Sequence, residues 1–384
     1  MRYKIDQLVQ LIMDYRGKTP KKLGMNWTEN QCDIVALSAK NIKDNKIVNT
    51  DKSHYGSESL YKRWMKDGDI EPGDILITSE APLGEVYLIT KPIKAILSQR
   101  LFLLRFNKNI VNPWYIFAFM NSQSFKNKLF SKATGTTVVG IKQKELRKIE
   151  IDLPNIRLQN KVGDIFRVIY KKIIINEIIN DNLLELISSI WKKQSSDIHN
   201  KITLKRLAKR IITGKTPSTK IKENYGIDIP FVKIPDMHNK IFIDETSQKL
   251  SIFGANSQKN KYVPKNSIIV SCIGTPGLVS LIGRTVQTNQ QINSLILDNK
   301  YIYCTYLELK SLKYKIRNLG SGGTTIQNLN KTNFGNIKIT VPNKDSQLDN
   351  FNGIAKPIFE RIHVNNIELQ NLVKIKEVLL GQYF

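Results

Sequence analysis

The chain has 384 residues, 41% hydrophobic, with 59 Lys and Arg against 33 Asp and Glu for a net charge of +26. That length accommodates two globular domains with their own cores. No apolar run is long enough to cross a bilayer and the charged N-terminus lacks a signal-peptide core, so a cytoplasmic protein is expected. Cys32, Cys272 and Cys304 are odd in number, scattered and without a CxxC, which argues against a disulfide frame or a zinc site.

Residues 1–155 read as a mixed α/β block of short apolar runs separated by Gly, Pro and Asn turns. Strands are expected at Asp33–Leu37, Ile75–Thr78 and Ile96–Phe106, and the alternation of Ile149, Ile151 and Leu153 closes the block before Pro154. From 156 to 200 the pattern becomes helical. Ile165, Ile169, Asn176, Ile179, Leu183, Leu186 and Ile190, with Lys172 filling one step, fall on alternating three- and four-residue steps, the seam of a coiled coil. A second mixed block runs over 201–342, with strands expected at Ile229–Ile234, Ser267–Cys272 and Ile292–Leu297 and a closing strand around Ile337, Ile339 and Val341. After Pro342, residues 343–384 carry a second stripe: Ile354, Ile358, Ile362, Asn365, Leu372, Ile375 and Leu379. Each helix, at ~1.5 Å per residue, would be about 50–60 Å long.

The chain therefore states one unit twice. Gly17-Lys18-Thr19-Pro20 returns as Gly214-Lys215-Thr216-Pro217, Ile75-Leu76-Ile77-Thr78 as Ile268-Ile269-Val270-Ser271, and Gly135-Thr136-Thr137 as Gly323-Thr324-Thr325, the offset drifting from 197 to 188. A period this long is a duplicated domain and not a solenoid. Two matched apolar helices, each trailing a globular block, would pair with one another antiparallel in a pseudo-two-fold arrangement. Asn176 and Asn365, at matching places, could fix register as polar seam residues do, or equally face solvent or a partner. Ile165, Ile169, Ile173, Asn176 and Leu183 in the first helix, with Ile354, Ile358, Ile362, Asn365 and Leu372 in the second, are the candidates for helix pairing or partner docking.

The positive charge follows the blocks and not the helices. Residues 1–155 carry 25 basic against 16 acidic residues and residues 201–342 carry 22 against 7, while 156–200 and 343–384 carry 7 against 5 and 5 against 5. A field so placed suits a polyanion such as duplex DNA, where phosphate neutralisation supplies most non-specific affinity. Lys18 and Lys215 are cations fixed at a turn between Gly and Pro, suited to a phosphate. Gln99 and Arg100 correspond to Gln290 and Gln291 beside a strand. The Gly-Thr-Thr loops offer Thr136, Thr137, Lys142 and Lys144 in one copy and Thr324, Thr325, Gln327, Asn328, Asn330 and Lys331 in the other. Amides and hydroxyls of this kind read base edges; a plain turn or loop–strand junction would use the same residues.

Signals of catalysis are weak. Asn112-Pro113-Trp114-Tyr115 approximates an amino-methyltransferase signature, but Trp114 stands for its second proline and no glycine-rich loop for S-adenosylmethionine appears; an N-cap followed by proline explains it. Asp74 with Glu80, or Asp236 with Glu245, lacks the Glu-x-Lys that nuclease chemistry usually shows, and there is no Walker loop. The four histidines lack metal-ligand spacing.

Gly214-Lys215-Thr216-Pro217-Ser218-Thr219, then Tyr225-Gly226-Ile227-Asp228-Ile229-Pro230-Phe231-Val232 and Pro235-Asp236-Met237, together with the twice-present Gly-Thr-Thr…Leu…Ile…Pro…Gln closure, resemble the specificity subunit of type I restriction–modification systems over essentially the whole chain. The first copy departs more, with Asp33-Ile34-Val35-Ala36-Leu37 in place of the Ile-Pro-aromatic phrase. The resemblance implies a mixed α/β (α+β) fold with two target recognition domains (1–155 and 201–342) and two spacer helices (156–200 and 343–384) forming an antiparallel coiled coil. It implies a non-catalytic subunit that reads one half of a split DNA target with each domain and docks two methyltransferase subunits and the restriction subunits. S-adenosylmethionine, ATP and magnesium would then belong to those partners. A methyltransferase or nuclease with drifted motifs, and a specificity subunit serving a fused methyltransferase–nuclease, remain the alternatives.

Overall fold

A computed structural model describes residues 1–319 and 329–384. The chain divides into two compact units, Met1–Ile173 with Leu372–Phe384, and Ile174–Asn371.

In the first unit the strand Arg2–Lys4 pairs antiparallel with Glu150–Asp152, so the block closes on its own beginning. Its central sheet has the order Val9–Asp14, Leu101–Phe106, Ile75–Thr78, Val86–Leu88, all antiparallel. The middle strands are apolar except at Thr78 and Arg105, because both faces are covered. Side chains alternate between faces, so Phe102, Leu104, Ile75 and Ile77 pack with the helices Pro113–Asn121 and Gln123–Ser131, while Leu101, Leu103 and Leu76 pack with Ala36, Leu60, Trp64 and Ile96. Of the last group, Ala36 and Ile96 belong to a small sheet, His54–Gly56, Ile34–Leu37, Ile96–Leu97, whose final pair is parallel, and Leu60 and Trp64 to the helix Glu58–Trp64. The single strand expected over Ile96–Phe106 is in fact two. Ser98–Arg100 interrupt it, and Arg100 takes a left-handed φ of 63° that no strand tolerates.

The second unit repeats the plan. Lys201–Thr203 pairs antiparallel with Lys338–Thr340. Arg210–Thr213, Ile292–Ile296, Ile268–Ser271, Val279–Ile282 and Phe242–Ile243 form the central sheet, and Ile229–Val232 pairs parallel with Gln287–Thr288. Here too one strand serves two cores: Ile268 and Val270 face one, Ile269 the other. The strand expected over Ile229–Ile234 stops at Val232, and Ile234–Met237 is a helical turn with Pro235 in its first turn, a position where its missing N–H costs nothing.

The long helices span Ile156–Ser195 and Asp345–Tyr383. Within each unit their segments run antiparallel. In the first, Phe166 meets Tyr383 and Phe384 at ring-centroid distances of 6.4 and 5.9 Å. In the second, Trp191 meets Phe351 at 4.8 Å, Asn365 Nδ2 donates to Asn180 Oδ1 at 3.0 Å, and Asn176 Nδ2 donates to Glu368 Oε2 at 2.7 Å. Asn176 and Asn365 thus lie buried in the seam, each bonded to a residue other than its counterpart.

The seam coincides with the expected stripe at Ile169, Asn176, Ile362 and Asn365 and sits one position from it elsewhere. Phe166, Asn180, Leu184, Ile187 and Trp191 are buried, whereas Ile165, Ile173, Leu183 and Ile190 are half-buried and Leu186 is exposed. On the second helix the buried row is Phe351, Ala355, Phe359, Ile362 and Asn365, with Ile358 and Leu372 half-buried and Ile354 and Ile375 exposed. Ile169 is buried. The aromatic residues set the phase, because Phe and Trp remove more apolar area from water than the isoleucines beside them.

Asp74 is the most deeply buried carboxylate of the first unit, and Arg105 holds it with two hydrogen bonds of 2.8 Å. The Asp74 bond raises the Arg105 pKa further. Replacing Arg105 with Met would leave that buried charge without its cation, so we expect a loss of about 3–5 kcal/mol in denaturant unfolding. A loss below about 1 kcal/mol, the scale of a surface pair, would contradict this assignment.

Candidate functional site

The two units carry the same loop frame, bond for bond. In the first, Ser79 N donates to Arg100 O (2.9 Å), Ile141 N to Ser79 O (2.9 Å) and Gly84 N to Thr78 O (3.0 Å). In the second, Cys272 N donates to Gln291 O (2.8 Å), Leu329 N to Cys272 O (2.8 Å) and Gly277 N to Ser271 O (3.0 Å). The Thr78 hydroxyl donates to Pro82 O at 2.5 Å and accepts from Glu85 N at 2.9 Å, and Ser271 makes the same two bonds with Thr275 O and Leu278 N. Three segments distant in sequence are thereby laced into one face, and the candidate side chains hang from it.

In the first unit Arg100 Nε pairs with Glu80 at 2.8 Å, and Glu80 bridges to Gly140. The loop 134–140 is pinched shut by reciprocal bonds between Thr134 and Gly140 (2.8 and 3.0 Å), which presents Thr136 and Thr137 at an exposed tip. Gly135 permits the tip: its φ is +111° and a Cβ there would lie 2.2 Å from Val138 O. Lys142 stands at the N-terminus of the short helix Gln143–Arg147; Lys142 and Lys144 are exposed. Gln99 is exposed beside Arg100.

Lys18 is placed differently from Lys215. Lys18 Nζ donates to Trp64 O at 2.6 Å and lies over the Tyr15 and Trp64 rings, and burial, then nearby Lys66, lowers its pKa. Lys215 is exposed, its backbone fixed by bonds from its N to Thr288 O and from Gln258 Nε2 to its O, both 2.9 Å. Gly214 lets the chain pass there, since a Cβ would come within 2.1–2.3 Å of Asn289 O and Thr288 O. Gln290 Oε1 accepts from Thr216 Oγ1 at 2.6 Å and Gln291 Oε1 from Asn289 Nδ2 at 2.9 Å, which fixes the direction of both amides. Lys215 gathers with Lys261, Lys331 and Arg210: the Lys261 pKa is lowered by burial first and then by these three cations. Asn330 caps the helix Lys331–Gly335 and is exposed, as is Lys331. Thr324, Thr325, Gln327 and Asn328 lie outside the described residues.

A pocket of about 470 Å³ opens on the first unit's face and brings Lys18, Gln99 and Arg100 together with Trp27, Trp64, His54, Ser38, Lys21 and Lys40. Sequence reasoning missed these additional residues. The signal for Trp27 was local, an aromatic residue five positions after the basic Lys21-Lys22 pair, whereas His54 and Ser38 reach the pocket only through strand pairing.

The residues set aside as catalytic have structural tasks. Asn112 Oδ1 accepts from Trp114 N and Tyr115 N at 2.9 and 3.0 Å, the expected N-cap. Asp236 accepts from Lys233 N and Ser247 N, and Glu245 pairs with Arg284 and Lys249. Burial pushes the thiols of Cys272 and Cys304 up to about 12, too high for a nucleophile near neutral pH. Among the described residues no three His, Cys, Asp or Glu side chains come close enough to hold a metal ion, and no helix is long and apolar enough to cross a membrane.

Residues 3–185 and 199–373 each match the type I restriction modification DNA specificity domain. The chain is 46% identical over 175 residues to the type I restriction enzyme HindI specificity subunit of Haemophilus influenzae, a match covering 44% of this chain and 38% of that protein. It is 24% identical over 397 residues to the MjaIX specificity subunit of Methanocaldococcus jannaschii, covering 95% and 88%. The structure of a type I restriction–modification S subunit from M. genitalium superposes over 100% of this chain and 96% of that one with a TM-score of 0.61 at 17% identity, which speaks for a shared fold. With the domain matched twice across most of its length, the chain belongs to the type I restriction modification DNA specificity family.

Proposed function

We propose that this chain reads a bipartite duplex DNA target, one half with each recognition domain, and contributes no catalytic group of its own. The observation that carries this reading is the pair of identical loop frames bearing different side chains: Arg100 where the second unit has Gln291, and a partly buried Lys18 where it has the exposed Lys215. A common scaffold with divergent polar tips is what two readers of different sequences require, since base edges are told apart by donor and acceptor pattern. The charge of both blocks supplies the phosphate attraction.

The long helices are proposed to dock two methyltransferase subunits. Their outward sides are apolar where solvent alone would favour charge: Val168 and Val378 in the first unit, and Ile175, Ile178, Leu186 and Val364 in the second, are each more than half exposed. S-adenosylmethionine would be held by those partners, with ATP and magnesium on restriction subunits, in the cytoplasm.

Exchanging residues 201–342 for the corresponding domain of another family member is expected to change one half of the recognised sequence and leave the other intact, as read by the methylated motif; a change in both halves would refute independent reading. A second measurement separates the two lysines. Lys215→Met should lower affinity uniformly across sequences and reduce the slope of log K against log salt by about 1, the contribution of one phosphate contact. Lys18→Met should leave that slope in place, because its ammonium is committed to Trp64 O. Equal salt slopes for both variants would contradict the assignment.

A further inference from the structure

The recognition face of the first unit carries a cavity of about 470 Å³. The small strand Ile34–Leu37 pairs parallel with Ile96–Leu97, and Ile229–Val232 pairs parallel with Gln287–Thr288. Ala36 lies opposite Ile96, four residues before Arg100; Phe231 lies opposite Gln287, four residues before Gln291. Ala36 and Ser38 therefore correspond to Phe231 and Lys233. At these matched positions the first unit has two small side chains, which line its pocket, where the second has an aromatic ring and a lysine.

What lines that space is selective. Trp27 stacks on His54 at 5.4 Å with an interplanar angle of 7°, and tilts against Trp64 at 5.3 Å. Lys21, Lys40 and Arg100 stand around these rings as the cationic rim, Lys18 being committed to Trp64 O, with the exposed amide of Gln99 beside them. The backbone is strained at the same place. Among the described residues, seven that are not glycine have positive φ; five are Asn or Asp, which tolerate it, and the other two, Ala81 (48°) and Arg100 (63°), both line this pocket. Strain held at a cleft is what a preorganised ligand site carries.

We infer that this pocket takes a nucleotide: a planar base stacked against the Trp27–His54 wall, its edge met by Gln99, with the phosphate on the cationic rim. This rests on the DNA-reading function proposed above. Aromatic stacking is indifferent to base identity, so the amide and the shape of the pocket would supply selectivity. The nucleotide has two possible sources, a base turned out of the duplex within the half-site or a free nucleotide.

The test uses the full chain assembled with its methyltransferase partner and duplexes of the established recognition sequence, each with one mismatched pair in the half-site that the exchange of 201–342 leaves unchanged. Because a mismatched base costs less to unstack, a base from the duplex predicts one position where the mismatch tightens binding, by about tenfold, and a loss of that gain in Trp27→Ala. The ratio of mismatched to matched affinity within one variant cancels any general loss of folding. Ala36→Phe, which copies the second unit, should abolish the gain as well. In the second arm deoxynucleoside monophosphates are titrated against the tryptophan fluorescence; saturable quenching that Trp27→Ala removes supports the same pocket with a free ligand. Weakening at every mismatched position together with no saturable quenching overturns the proposal. A complex that binds no matched duplex overturns the DNA-reading function itself, a different result from a complex that binds but shows neither effect.

Discussion

Each recognition block is tied shut where it begins. Arg2–Lys4 lies against Glu150–Asp152, and Lys201–Thr203 against Lys338–Thr340, so the first and last strands of each block share one short ladder. Ile5 N donates to Ile149 O at 2.9 Å and Leu204 N to Ile337 O at 3.0 Å, extending both ladders by the same bond. Much follows from this closure. The long helices begin a few residues beyond it, at Ile156 and Asp345, after a proline that cannot extend the ladder. The central sheet is left with its loops free at the other end of its strands, where the laced frame of Ser79, Arg100 and Ile141, or Cys272, Gln291 and Leu329, forms.

That division separates what must be constant from what must vary. Strands buried on both faces are mostly apolar, with a few buried polar side chains such as Thr78, Ser271, Asn293 and Ser294, and a substitution among them is felt throughout a close-packed core. The frame is built almost wholly from backbone bonds and two hydroxyls, so it places few demands on the side chains that hang from it. Arg100 and Gln291 can differ because the carbonyls they carry make the same bond. A duplicated scaffold of this kind lets two copies acquire different reading residues without losing the fold, and the small Ala36 and Ser38 against Phe231 and Lys233 show how far one copy has moved from the other.

The architecture was legible where the physics is local. Runs such as Ile75–Thr78 are strands because β-branched residues favour the pleated chain, and Pro154 and Pro342 mark the ends of the closing strands. The helices were legible from their period, but their phase was not. The stripe through Leu186 and Ile190 looks as good as the true one through Ile187 and Trp191 until the partner's Phe351 is in place. The break at Ser98–Arg100 is marked by three polar residues between apolar runs; what the sequence did not show is the left-handed φ of 63° at Arg100 that turns the chain there. At the candidate site, the frame residues Lys18, Gln99, Arg100 and Lys215 were found through repetition. Trp27, Ser38 and His54 were not, since the second copy keeps no trace of their role.

The most direct test of two readers on one non-catalytic chain is methylation sequencing of a host expressing this protein with a methyltransferase partner, and without it. The account predicts a new split motif, with methylated bases in both halves, that appears only when both proteins are present. Methylation by this chain alone, or a single undivided motif, would contradict it.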